Sequence, residues 1–513
     1  MDAPSAAGPA SPGSGKVRRG KVRSPGGRRL KEAAGPRWAS VCVLTPVGGG
    51  RRSPYRHWLR RVSAALLKAQ REIRVLKSLD WPDGVAREFF ARGARELPRI
   101  TYAPLDFDPA RKVAEFRAIE RVLHPRDPLQ GILRETARQY ADVVRMLEAR
   151  ETSRFHAVSR ALYGHPLEPF AGQTTTSLDL ALHLDRLVGS GSGLEHVEAA
   201  ARVFTAEEAA AMLQKRLLRA FPGARVPVEV SSHLTADAAA GACRIRIKRG
   251  RVFGRETIAY LLHHEGYVHI ATTLNGRRQP WLPILGKASP RTVRVNEGLA
   301  VFGEWASHTL TLPRVRRLVD RVLAIRMAEE GADFLQVYRA FLHRGEDPQA
   351  AFDIARRVFR GGDLRGGAPF TKDASYLGDF LRIFNFVRVA AKRGRMDLLD
   401  LLFVGKVTLK DLPVLGEHLA SGEIRRPRFL PPWVRDKNWL TAHMAISSFL
   451  NVIHLPGVES FYEDLFARCA PPPPGRGPEE RGEGGEGMDS RGREPGGKEE
   501  FRGHATGLTP LHY

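Results

Sequence analysis

The stretch LLHHEGYVHIATTLNGRRQPW, residues 261–281, decides how this chain is read. Its core is His264-Glu265-Gly266-Tyr267-Val268-His269, set in a run with the apolar content of a helix. In a regular α-helix, residues five apart diverge by about 140°, too far for two imidazoles to share one ion. Widening the turn by one residue, as a π-bulge, returns both rings to a common face, and such bulges are frequent at functional sites. Gly266, between the histidines, is the residue most able to absorb that backbone change. The competing reading is plainer: ordinary helix residues in a chain that holds 17 histidines.

A metal site used for hydrolysis needs a third ligand and a base. Catalytic zinc takes three protein ligands and keeps one position open. Downstream, VNEGLAVFGEW (295–305) reads as another helix, with Glu297 near its start. His264, His269 and Glu297 form the expected ligand set. Glu265 is then free to take a proton from the attacking water and deliver it to the leaving amine. Glu304 follows Glu297 by seven residues, about two turns, and shares its face. It is the alternative third ligand, and otherwise a partner that orients a histidine.

Composition bounds the class. A chain of 513 residues, 42% hydrophobic, is long enough for one large domain or two ordinary ones. Three cysteines far apart cannot make a disulfide framework. No apolar run approaches the roughly 20 residues that span a bilayer, and the basic N-terminus lacks the apolar core of a secretory signal. The expectation is a soluble cytoplasmic protein. The formal charge of +25 draws acidic peptides, anionic membranes or nucleic acid. The basic residues occur throughout, however, and no zinc-finger, RRM or homeodomain pattern accompanies them, so nucleic acid is not the favoured partner.

Residues 1–35 and 470–513 are low-complexity segments, rich in Pro, Gly and charge, and are expected to be disordered. Between them the chain reads as mainly α with a small β-sheet: a helical N-terminal region over 53–200, then a catalytic domain over 201–465. Trp58, Leu59, Val62, Leu66, Ile73 and Leu76 form one helical stripe, and 112–124, 127–150 and 174–188 have similar patterns. Thr205 and Glu208 form a capping-box signature. The strand-like pieces are 226–232 and 243–253; in the second, Cys243, Ile245 and Ile247 alternate with Arg244, Arg246 and Lys248.

The ordered blocks HHEGYVH, NGRRQPW (275–281), NEGLAVFGEW (296–305) and FTKDASYLGDF (370–380) resemble the bacterial QEGLA-motif family. That family is similar to the microtubule-associated tyrosine carboxypeptidases. The resemblance covers about residues 55–465. It implies a zincin-like metallopeptidase with one Zn2+ per chain, removing a C-terminal Tyr or Phe from peptides or proteins. His264 and His269 match its histidine ligands, Glu265 its base and Glu297 its third ligand. Two departures stand out: Asn296 replaces the usual glutamine, and Gly266 sits one place earlier than the family's glycine.

Such an enzyme needs a cation for the substrate carboxylate and a donor for the developing oxyanion. Lys372 and Tyr376, four apart on a helix expected to begin near 371, project to the same side and take those two roles. Arg278 and Arg360 compete for the carboxylate, and Asn275 joins the expected substrate-binding set. Strand 243–248 is expected at a sheet edge, where a substrate backbone adds as a further strand. Its basic face, like the net charge, favours acidic peptides. Two other functions compete: a zinc aminopeptidase or endopeptidase, and a basic regulatory protein that modulates gene expression without catalysis.

Overall fold

A computed structural model describes residues 52–189, 203–232, 234, 236–241, 243–450, 453 and 455–466. The two low-complexity segments, 1–35 and 470–513, lie outside the described residues. The helices start where the sequence supplies caps. Helix α1 is Arg52–Ala69. Helices α2 (Pro109–Arg121) and α3 (Pro128–Glu148) both open on Asp-Pro, with the aspartate side chain accepting from the backbone N–H three residues on. Proline loses nothing at that first position, where the N–H has no helical partner. Helix α4 (Ser153–Tyr163) is capped by Thr152, and α5 covers Ser177–Gly189. The Thr205/Glu208 capping box opens α6 (Ala206–Ala220) as its sequence requires.

The first stripe is shorter than its periodicity predicts. Trp58, Leu59, Val62 and Leu66 are buried, but the helix tightens to a 3-10 turn at Gln70–Glu72 and Ile73 is extended. Leu76 lies on a separate short helix with its side chain exposed. The N-terminal helices share one core with the later ones: Phe116, Leu133 and Phe155 belong to the same buried cluster as Val268, Leu299 and Phe302. In the described residues up to Ile453 the chain forms one compact unit.

The sheet has three strands in the order β1-β3-β2 (Val228–Ser231, Arg244–Lys248 and Ala238–Gly241). β1 pairs parallel to β3, and β2 antiparallel to it. Ile245 and Ile247 are fully buried while Arg244 and Arg246 are exposed, as the alternation predicts. The expected edge position is corrected: β3 is the central strand, so its backbone is already paired on both sides and cannot accept a substrate strand. The free edges belong to β1 and β2. β2, sequence Ala-Ala-Ala-Gly, has no strand propensity and is made by pairing alone.

After the sheet come α7 (Arg255–Leu261), a nine-residue π-helical segment (Leu262–Ile270) and α8 (Ala271–Arg277), in one continuous rod. Helices α9 (Pro290–Ala306), α10 (Leu312–Glu329), α11 (Phe334–His343), α12 (Pro348–Phe359) and α13 (Ser375–Lys392) complete the surroundings of the site. Among the described residues no helix is long and apolar enough to cross a membrane.

Candidate metal centre and active site

The π-helical segment carries the whole HEGYVH block. With the turn widened, the imidazoles of His264 and His269 come face to edge, their centroids 4.9 Å apart. Gly266 lies within this segment but has no left-handed φ. Its lack of a side chain serves packing instead: a Cβ there would sit 2.9 Å from Leu217 Cδ2 on α6.

Glu297 reaches the two histidines from α9. It is two turns inside that helix rather than near its start, because Ser289 and Pro290 begin the helix earlier. Glu297 Oε2 lies 3.6 Å from His264 Nε2 and 3.4 Å from His269 Nε2. One ligand atom from each of the three residues falls within 4.8 Å of the others. That oxygen is buried and has no hydrogen-bond partner among the described residues. A buried carboxylate oxygen facing two ring nitrogens, with no donor of its own, is the arrangement a cation completes.

The outer nitrogens are held too. His264 Nδ1 is 2.6 Å from Glu304 Oε1, and Arg314 clamps the same carboxylate through Nε at 2.9 Å and Nη2 at 3.0 Å. Glu304 therefore meets His264 at Nδ1, on the far side of the ring from Glu297. Burial pushes the His264 imidazole down, but Glu297 and Glu304 outweigh it and raise the ring to about 9. Burial likewise raises the Glu304 carboxyl, and Arg314 with His264 reverses this, holding it at about 2. On the other ligand, His269 Nδ1 is 2.7 Å from Asn296 Oδ1, which also accepts from Lys406 Nζ at 2.6 Å.

Glu265 faces the sheet, where its Oε2 accepts from the backbone N–H of Ala240 at 2.7 Å. Its carboxylate and His264 line a cavity of about 680 Å³ together with Tyr376. Tyr376 stacks near His264, centroids 6.4 Å apart and planes 21° from parallel. Burial raises its phenol above the ordinary value, so it remains a donor. Lys372, on a 3-10 turn before α13, lies 3.6 Å from Glu297 Oε1 and 5.2 Å from the Tyr376 ring. Gly298 makes this approach of α9 and α13 possible: a Cβ there would lie 2.4 Å from the backbone of Asp379.

The remaining sequence candidates are elsewhere. Asn275 is buried, its Nδ2 donating to the Phe403 and Phe429 carbonyls and its Oδ1 accepting from Arg428 and Phe429 N–H. Those bonds exhaust its capacity, so it pins a loop and has no group left for substrate. Arg278 is exposed at the end of α8, and Arg360 is buried over the Phe370 ring; neither lines the cavity. Residues the sequence did not single out are Lys406, Arg314, Arg321 and the strand β2. Each acts from a different element than the group it serves, and a lone Arg or Lys carries no motif. Asn296 did offer a signal, standing beside the ligand Glu297.

Comparison with known proteins follows the same direction. A search among curated proteins returns no match. The family model for microtubule-associated tyrosine carboxypeptidase matches residues 87–452, somewhat less than the 55–465 span of the motif resemblance. That match takes in the histidine block, the Glu297 helix and the Lys372–Tyr376 turn, and it implies a carboxypeptidase-type hydrolase. This chain belongs to the microtubule-associated tyrosine carboxypeptidase family.

Proposed function

We propose that the protein is a zinc-dependent carboxypeptidase that removes a C-terminal Tyr or Phe from a peptide or protein. The observation that carries this is the convergence of His264 Nε2, His269 Nε2 and the unpartnered Glu297 Oε2 beside the Glu265 carboxylate. Two imidazoles and one carboxylate suit zinc and leave a coordination position open. A zinc ion held there supplies a Lewis acid for the scissile carbonyl.

The chain's own residues do the rest. Glu265 takes a proton from the attacking water as the water oxygen adds to the carbonyl carbon. The Ala240 N–H occupies one Glu265 oxygen and leaves the other to work. As the C–N bond breaks, Glu265 returns that proton to the leaving amine. The Tyr376 phenol donates to the developing oxyanion. Lys372 sits against Glu297 Oε1 and offsets the charge of that carboxylate. Lys248 and Arg317 on the cavity wall favour acidic residues upstream of the scissile bond.

The test compares wild type with Glu265→Gln on peptides ending in Tyr, on the same peptides ending in Ala, and on peptides blocked at the C-terminus. Mass spectrometry reads the loss of one residue, and elemental analysis reads the metal. Loss of terminal Tyr by wild type alone, with zinc in both proteins, supports the reading. Cleavage within the blocked peptides would make the protein an endopeptidase, and metal-free protein with full activity would end the zinc assignment.

A further inference from the structure

The cavity beside Glu265 is lined by charges of both signs, and several of its cations are already paired. Arg314 is spent on Glu304. Arg357 donates from Nε to Asp373 Oδ2 at 2.7 Å. Arg321, projecting from α10 into the same cavity, is different: its Nη1 is buried and has no hydrogen-bond partner among the described residues. Its guanidinium carbon lies 4.6 Å above the ring of Tyr376, the ring that stacks against His264. Burial and the neighbouring Arg357 and Arg314 push it down to about 10, so it is charged at neutral pH but poorly compensated. A buried guanidinium N–H without an acceptor is costly, and the group that would satisfy it is a planar anion entering from the cavity.

Resting on the carboxypeptidase reading above, we propose that Arg321 is the residue that receives the substrate's terminal α-carboxylate, with Tyr376 between it and the reacting carbonyl. Lys372, the cation that sequence spacing favours, is held by Glu297 and does not line the cavity. Arg278 and Arg360 do not line it either. Arg321 thereby measures the distance from metal centre to chain end and makes the enzyme cut one residue from the C-terminus.

Two measurements test this on the full chain. The first is kcat/KM for matched peptides ending in Tyr as the free acid or the amide, with wild type, Arg321→Gln and Arg321→Lys. Wild type should prefer the acid by about 30-fold, from a charged hydrogen-bonded pair. In Arg321→Gln the preference should shrink to within about 3-fold, chiefly through KM, and Arg321→Lys should restore part of it. The second is calorimetric binding of tyrosine against tyrosinamide, which needs no turnover. Arg321→Gln should lose the preference for tyrosine while keeping the wild-type circular dichroism and metal content. An unchanged acid-to-amide ratio in folded Arg321→Gln, or equal binding of tyrosine and tyrosinamide by wild type, overturns the assignment. Wild type that binds tyrosine through Arg321 yet releases no terminal residue would instead refute the carboxypeptidase reading.

Discussion

The amide oxygen of Asn296 lies 2.7 Å from Nδ1 of His269 and thereby decides which nitrogen of that ring carries the proton. The orientation of the amide is set from behind. Lys406 Nζ, 2.6 Å from the same oxygen and 3.0 Å from the His269 carbonyl, donates to both, so the amide atom facing it is the acceptor. His269 Nδ1 must then be the N–H, and Nε2 keeps its lone pair toward Glu297. Glu304 likewise holds His264 at Nδ1. The two rings are held by different side chains but present the same nitrogen, Nε2, to Glu297.

Removing that support should weaken metal binding without removing a ligand. Asn296→Ala and Glu304→Gln are each expected to lower zinc affinity by about 10- to 100-fold. Competition against a chelator of known affinity reads this directly. Unchanged affinity in both variants would mean that the rings are held by packing alone.

The backbone N–H of Ala240 is the one tie from the sheet to Glu265 among the described residues. Its partner in register, Ile245, lies on β3, and the N–H points away from that strand to the open edge. Proline is tolerated on edge strands at such positions. Ala240→Pro should therefore keep the fold and the metal but lower kcat by roughly 10-fold, through a wandering base. Steady-state kinetics alongside metal analysis separates this from unfolding.

Two glycines at the site should respond differently to alanine. At Gly298 the added Cβ meets Asp379 backbone at 2.4 Å, which cannot move aside without parting α9 from α13. Gly298→Ala is expected to destabilise by about 1–3 kcal/mol and to lower activity by drawing Tyr376 away from Glu297. At Gly266 the Cβ meets the tip of Leu217, which can rotate, and the cost should be about 1 kcal/mol or less. Denaturant titration of both variants gives the ranking.

Asp320, on the cavity wall, gives a pH test. Burial raises its carboxyl from 3.8 to about 6, and Arg344 at 3.0 Å offsets only part of that. The sign follows from proton uptake: between those two values the folded state binds the proton more tightly than the unfolded one. Stability therefore rises as pH falls through 6 and the gain is complete below about 4. Above pH 6 the full penalty is present. Wild type should gain roughly 1 kcal/mol relative to Asp320→Asn between pH 7 and pH 5. Urea midpoints at the two pH values measure it, and a parallel shift in both proteins would rule it out.

Much of the local structure is legible in the sequence because its causes are local. Asp-Pro starts, the Thr205/Glu208 box and the alternation in β3 are rules about neighbours a few residues apart. The odd spacing of His264 and His269 likewise has a local backbone solution, a widened turn, and the π-helical segment supplies it. Where reading by period fails, a distant contact is responsible. β2 is three alanines and a glycine that become a strand only because β3 offers a ladder and Glu265 an acceptor.

The convergence of His264, His269 and Glu297 is legible in the sequence; the side chains that hold them are not. Glu297 and Glu304 share one helix face, and periodicity cannot say which carboxylate turns to the histidine Nε2 atoms and which to Nδ1. Arg314 decides that, from another helix, by claiming Glu304. Asn275 and Arg278 stand in a recognisable block yet serve loop packing and solvent, whereas Arg321 stands in none and lines the cavity beside Glu265. Chain periodicity specifies which face of an element a residue occupies. What that face meets is settled when helices from opposite ends of the chain pack, because desolvation then makes every unpaired charge find a partner or wait for one.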